Sequence, residues 1–287
     1  GNRLVAELVT DKTKDLGWFP KRELKNYIAD FIKLTKNTKA VIIIHMRGYP
    51  CDFRDIIPKL KSLNIPIIED CSQCFGGMID GHRVGHFGDF STMSFQYNKM
   101  ITAGEGGAVM MDDTQSHKKC VRFHNLGMER KVGEDPAKTN DPIGPGSIVS
   151  VGLNYRMSEI TASVALAQLN KIKKIISGCK LNWDKALEML EPLMEKGYIT
   201  QRSISNLATP NYAFLGFKRQ KNIAHKEILK KFSELKIPFE HVNLKDSHHF
   251  EIWKYFLDKE KYPYKDMSDE TSNKNLDYNY FCEILSE

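Results

Sequence analysis

The chain has 287 residues, of which 41% are hydrophobic and 27% charged, with a net charge of +6. That balance describes a globular protein of one large domain or two smaller ones and excludes a collagen-like or disordered chain. The charge is mild and spread without an arginine cluster, which argues against a nucleic-acid surface. The apolar runs are too short to cross a bilayer, and no signal peptide is visible.

The first candidate element is the amphipathic stretch from Arg22 to Leu34, with Leu24, Tyr27, Ile28, Phe31 and Ile32 at helical spacing. Ala40 to Ile44 reads as a buried strand, Phe53 to Leu63 as a helix, and Ile65 to Ile68 as a second buried strand. Strand, helix and strand in that order predict a right-handed parallel unit. Ser91 to Phe95 is a third short strand, Gly104 to Gly107 a tight turn, and Ala108 to Met111 its hairpin partner. Ser116 to His124 is expected to be helical, and residues 127–150, rich in Gly and Pro, to form a long surface loop. A helix is predicted from Ser158 to Ile176, with Ile160, Val164, Ala167, Leu169 and Ile172 on its apolar side, and another from about Leu181 to Lys196. The domain boundary is placed near Ser177-Gly178, giving a larger domain over 1–177 and a smaller one over 178–287. Asn211 to Phe217 alternates like a strand, and Ala224 to Leu235 reads as a helix.

Chemistry gathers between Ile67 and Gly107. Glu69 and Asp70 close an apolar strand, at the end where open α/β sheets bind ligands. Lys99 follows another strand by a few residues, as a Schiff-base lysine held half-buried at a strand end would. A carboxylate near a pyridine nitrogen keeps that nitrogen protonated, so Asp70 and Lys99 together suggest a pyridoxal-phosphate-type site. Asp70 could instead cap the following segment, since Asp is a favoured N-cap residue. Gln73, three residues on, is placed to touch the oxygen side of such a ring.

The pattern Ser94-Phe-x-x-x-Lys99-x-x-x-x-Gly104-Glu-Gly-Gly resembles the signature of the DegT–StrS type sugar aminotransferases, within the fold type I pyridoxal-phosphate enzymes. His45-Met-Arg-Gly48 with Asp52, Gly85-His-Phe-Gly-Asp89 and Asn154-Tyr-Arg-Met-Ser-Glu159 extend the resemblance over about Lys39 to Lys174. It implies a three-layer α/β/α large domain with a smaller α+β C-terminal domain. It also implies a pyridoxal 5'-phosphate cofactor held by Asp70, Gln73, Ser94, Gln96, Lys99 and Asn154, with Lys99 and Asp70 catalytic. The activity implied is amination of a keto sugar, nucleotide-linked, with glutamate or glutamine as donor, by a cytoplasmic homodimer with shared sites in which Asn154 reaches the neighbour's cofactor phosphate. Asn154 could equally shape the turn before the helix at Ser158.

Two departures from that family stand out. Gln96 occupies the position where the family has histidine, and an amide cannot carry a proton at neutral pH. Family members also begin with a Gly-Thr or Gly-Ser phosphate turn and a ring-stacking aromatic. Nothing before Lys39 supplies either, so an upstream segment is expected. A related sugar dehydratase would carry histidine in place of Lys99, and a non-catalytic homologue would keep the fold alone. Of the six cysteines, Cys71 and Cys74 form a C-x-x-C without the second ligand pair that a structural zinc needs. They are expected to be small buried residues in a reducing compartment, with a redox pair as the other reading. His248-His249 reads as surface, and no metal site is expected.

Overall fold

The structure, a computed structural model, describes residue 34 and residues 38–128, 150–220 and 223–236. The expected helix over 22–34, the 127–150 loop beyond Met128 and the histidines at 248–249 lie outside these residues, Leu34 and Ser150 excepted.

A four-stranded sheet carries the molecule, in the order β1 (Val41–Ile44), β2 (Ile67–Asp70), β5 (Phe90–Ser94), β6 (Gly107–Met110). The first three strands are parallel and β6 is antiparallel to β5. β-Branched Val41, Ile42, Ile43 and Ile44 suit a pleated interior strand. Alternation gives the sheet two unlike faces. Val41, Ile43, Ile67, Glu69 and Ser91 are buried on one, while Ile42, Ile44, Ile68, Asp70 and Thr92 are half-buried on the other. The buried face packs on Phe53, Ile56 and Leu60 from the β1–β2 crossover. β2 starts two residues later than its apolar run, because Pro66 has no N–H for the ladder and only its carbonyl is used, by Val41 N–H.

The crossover is shorter in α-helix than its periodicity suggests. A 3₁₀ turn, Arg54–Ile56, precedes α1 (Ile57–Ser62), and Pro58 sits in the first turn of α1, where no backbone N–H bond is lost. β3 (Met78–Ile79) and β4 (His82–Arg83) form a hairpin around Asp80-Gly81, both at positive φ as a two-residue primed turn requires. α2 (Thr114–His124) is capped by Asp113, whose carboxylate accepts the Ser116 N–H.

The single helix predicted over 158–176 is two. α3 (Glu159–Leu169) starts after Ser158, whose hydroxyl accepts the Thr161 N–H, and ends where Lys171 N–H turns back to Gln168 O. α4 (Ile172–Glu195) then runs without a break through Ser177, Gly178 and Leu181. An interior glycine costs a helix about 1 kcal/mol; burial of Trp183, Leu190 and Leu193 carries α4 across it. The apolar side expected on α3 is not buried: no residue of α3 is, and Ile160 is 81% exposed.

β7 (Ile199–Gln201) pairs with β9 (Phe217–Arg219), and both pack with α5 (His225–Glu234) around Leu190, Leu193, Ile199, Ile228 and Phe232. The strand predicted over 211–217 does not form. Asn211 Oδ1 accepts the Ala213 N–H and Tyr212 takes φ +64°, so a side-chain turn overrides the alternation. Residues 202–216 instead return to the connection between β2 and β5. There β8 (Ala208–Thr209) pairs with β3 in a separate three-stranded sheet of order β4-β3-β8, while Arg202 stacks 4.3 Å above the Tyr49 ring. Among the described residues, no helix is long and apolar enough to cross a membrane.

Candidate active site

Parallel strands that end side by side open a crevice at their carboxyl ends. Here β2 and β5 are neighbours, with Asp70 opposite Thr92, so the residues just after each strand share one rim. Asp70, Gln73, Ser94, Gln96 and Lys99 all leave the sheet on this rim.

Each is held by local bonds. Asp70 Oδ1 accepts the Ser72 N–H at 2.9 Å, so the capping role is real, while its second oxygen has no partner among the described residues. Gln73 Oε1 accepts the Arg47 N–H at 2.9 Å. A backbone N–H can only donate, so this bond fixes the amide with Nε2 facing away from Arg47. Beyond β5, Ser94 Oγ accepts the Gln96 N–H at 3.3 Å and the Lys99 N–H returns to Gln96 O at 3.0 Å. Phe95 and Ala103 close the hairpin, which Gly104 and Gly106 turn at positive φ. Lys99 is half-buried, and its amine engages no described residue.

Asn154 is placed otherwise. It is exposed and bridges Asn125, and none of its bonds reaches Asp70, Gln73 or Lys99. Its motif does meet the lysine hairpin, because Met157 occupies the space a side chain on Gly106 would need. Arg156 donates to Asn125 Oδ1 at 2.7 Å.

Glu69 has a role that the strand-end position did not reveal. Its carboxylate is fully buried and accepts from His45 Nε2 (2.9 Å), Gly85 N–H (2.8 Å), Phe87 N–H (2.7 Å) and Gly88 N–H (2.6 Å). His45 Nδ1 accepts the Cys51 N–H, so the ring is neutral with its proton on Nε2. Burial pushes the Glu69 carboxyl up, but the His45, Gly85 and Gly88 donors outweigh it and hold it below the usual carboxylate range. His45, Glu69 and Cys71 lie close enough to suggest a metal centre. Both imidazole nitrogens and both carboxylate oxygens are already engaged in hydrogen bonds, and burial with the Glu69 charge drives the Cys71 thiol far up. The trio is therefore a hydrogen-bonded anchor. Burial likewise lifts the Cys74 thiol to about 12, which leaves both members of the C-x-x-C as inert thiols.

A carboxylate, an amide donor and an amine with no partner among the described residues, on one rim of a mainly parallel sheet, suit a pyridine-aldehyde cofactor. The chain belongs to the DegT/DnrJ/EryC1/StrS aminotransferase family, whose model matches residues 30–275. Over 147 residues it is 40% identical to the GDP-perosamine synthase of Escherichia coli O157:H7, covering 50% of this chain and 36% of that enzyme. The chain thus spans about a third of that curated relative's length. The structure superposes on an aminotransferase from Psychrobacter cryohalolentis with a TM-score of 0.69 and 26% identity, over 84% of this chain and 62% of that one. The E. coli GDP-4-keto-6-deoxy-D-mannose-3-dehydratase with bound hydrated PLP shares the fold, with a TM-score of 0.63 and 21% identity over 80% and 58% of the two chains. The family indicates pyridoxal 5'-phosphate as the cofactor. The donor set fits it: Asp70 suits the ring nitrogen, Gln73 Nε2 the ring oxygen and Lys99 the aldehyde.

Proposed function

We propose that this protein aminates a keto sugar, nucleotide-linked, using glutamate or glutamine as the amino donor. The observation that carries the reading is Lys99, half-buried and without a partner among the described residues, on the same rim as Asp70. Bound there, pyridoxal phosphate supplies the electron sink that lets a C–H bond beside nitrogen break. Asp70 holds the proton on the ring nitrogen and keeps the ring electron-poor. Lys99 Nζ would carry the proton from the donor's Cα to the cofactor in the first half-reaction and, in reverse, bring a proton to the sugar carbon in the second. Ser94 and Gln96 offer a hydroxyl and an amide to the cofactor. The relative named a GDP-perosamine synthase supports the nucleotide-sugar class, and a lysine at position 99 favours amination over the dehydratase reading.

Protein incubated with pyridoxal phosphate and reduced with borohydride should carry the adduct on Lys99 alone. Asp70→Asn should give the same adduct yet lose turnover by at least about 10²-fold, the scale of a positioned acid–base group. An adduct on another lysine, or normal turnover in Asp70→Asn, sinks the assignment.

The active unit we propose is a homodimer in which Asn154 serves the neighbouring site. Support comes from the apolar side chains around it: Val151 is 87%, Tyr155 65% and Ile160 81% exposed. Mixing inactive Lys99→Ala and Asn154→Ala protomers then puts both lesions in one site and none in the other. Half of randomly paired dimers are mixed, so about a quarter of wild-type activity should return. No recovery, with subunit exchange verified by mass, would place Asn154 outside any shared site. We assign the protein to the cytoplasm, which the five free cysteines among the described residues support, and keep a larger domain over 1–177 and a smaller one over 178–287 as its organisation.

A further inference from the structure

We propose that Asn211, from the distant return segment, is a positioning residue of the cofactor site that acts through Gln73. The proposal rests on the reading of Gln73 as a cofactor contact. Asn211 is fully buried, and its amide is oriented by its bonds. Oδ1 accepts the Ala213 N–H at 3.0 Å, so Nδ2 faces Gln73 O at 3.2 Å and Phe75 O at 3.3 Å. Its backbone N–H donates to Gly48 O at 3.0 Å.

Asn211 therefore joins the two loops that meet at Gln73. One is the 71–76 loop, held through two carbonyls. The other is the Met46–Gly48 turn, whose Arg47 N–H clamps the Gln73 side chain. Gly48 sits at φ +78°, and a Cβ there would collide with Asn211 Oδ1, so the close approach depends on glycine. Gln73 is thus restrained at both its oxygens: the main-chain carbonyl by Asn211, the side-chain carbonyl by the turn that Asn211 secures. The Nε2 amide, which faces away from Arg47, has no partner among the described residues and is left as a donor. Asn211 and the adjoining Cys74 are both fully buried. Without Asn211, two carbonyls lose their donor and the Gln73 amide loses its fixed direction.

The test is a cycle of Asn211→Ala, Gln73→Ala and the double variant in the full chain, read by pyridoxal phosphate titration, the absorbance maximum of the bound cofactor and melting temperature. Asn211→Ala should weaken cofactor binding by roughly fivefold to tenfold, as loss of one or two hydrogen bonds predicts, and move the absorbance maximum. In the Gln73→Ala background the same substitution should change neither cofactor readout, though it still lowers the melting temperature. Asn211→Ser, which keeps one hydroxyl donor, should restore part of the affinity. If Gln73→Ala itself leaves cofactor binding unchanged, the reading of Gln73 fails. If Gln73→Ala weakens binding while Asn211→Ala changes only the melting temperature, or acts equally in both backgrounds, the positioning role fails. Should neither Asn211→Ala nor Asn211→Ser fold, Asn211 is a folding residue and the proposal is overturned.

Discussion

Lys99→Ala should abolish transamination while leaving the fold intact. Lys99 lies in a hairpin secured by backbone bonds, and its amine engages no described residue, so removing it opens no buried gap. On the proposed function two roles would go together: the amine that bonds to the cofactor aldehyde, and the base that moves the donor's proton. General acid–base groups contribute about 10²–10⁴-fold, and loss of covalent attachment adds to that. The visible absorbance of the cofactor-loaded protein should disappear as well, with a melting temperature within a few degrees of wild type. Residual activity above roughly 1% of wild type would show that another group carries the proton.

The second large effect concerns stability. Glu69→Ala should cost about 3–5 kcal/mol, as expected for removing one partner of a buried, fully bonded charge. Four donors, from His45, Gly85, Phe87 and Gly88, would lose their acceptor at once. Domains are typically stable by only about 5–15 kcal/mol, so the variant should lie near its unfolding threshold in urea at neutral pH. The pH dependence has a defined sign. The folded Glu69 carboxyl lies below its unfolded value of about 4.3, so its stabilisation is complete above that value and is lost as pH falls through the folded one. Glu69→Gln, which cannot titrate, should therefore lose less stability than wild type between neutral pH and the acid limb. Identical acid profiles would refute the sign.

Glu69 and Asp70 show where the sequence was legible and where it was not. Both stand at a strand end, and the crevice rule marks both as candidates. Alternation assigns them opposite faces: Asp70 goes to the half-buried side and Glu69 to the core. Which face is the core depends on what packs there, and Phe53, Ile56 and Leu60 cannot be placed from strand period alone. Lys99 was legible because a hairpin turn at fixed spacing announces it. Asn211 was not, because Asn-Tyr-Ala-Phe-Leu-Gly-Phe alternates as a strand would, and only the contacts to Gly48, Gln73 and Phe75 decide for a turn. The break between α3 and α4 was hidden for a related reason. Asn170, the C-cap of α3, is a stop signal in itself, but apolar spacing that runs on through Ile172 masks it.

The return of residues 202–216 to the loops beyond the sheet's carboxyl ends also sets an order of events at the ribosome. Asn211 meets Phe75 across 136 positions, and Gly216 meets Tyr49 across 167. β1, β2 and β5 can pair as soon as they emerge, but the loops at their carboxyl ends stay unfastened until Gly216 has been made. At usual elongation rates that interval is on the order of ten seconds. Throughout it, Glu69 can anchor its own neighbourhood from local partners, all between His45 and Gly88, while Gln73 waits for a strap not yet synthesised. The nascent chain thus acquires its scaffold early and its binding geometry late, and a translation arrest before residue 211 yields a folded sheet with a slack rim.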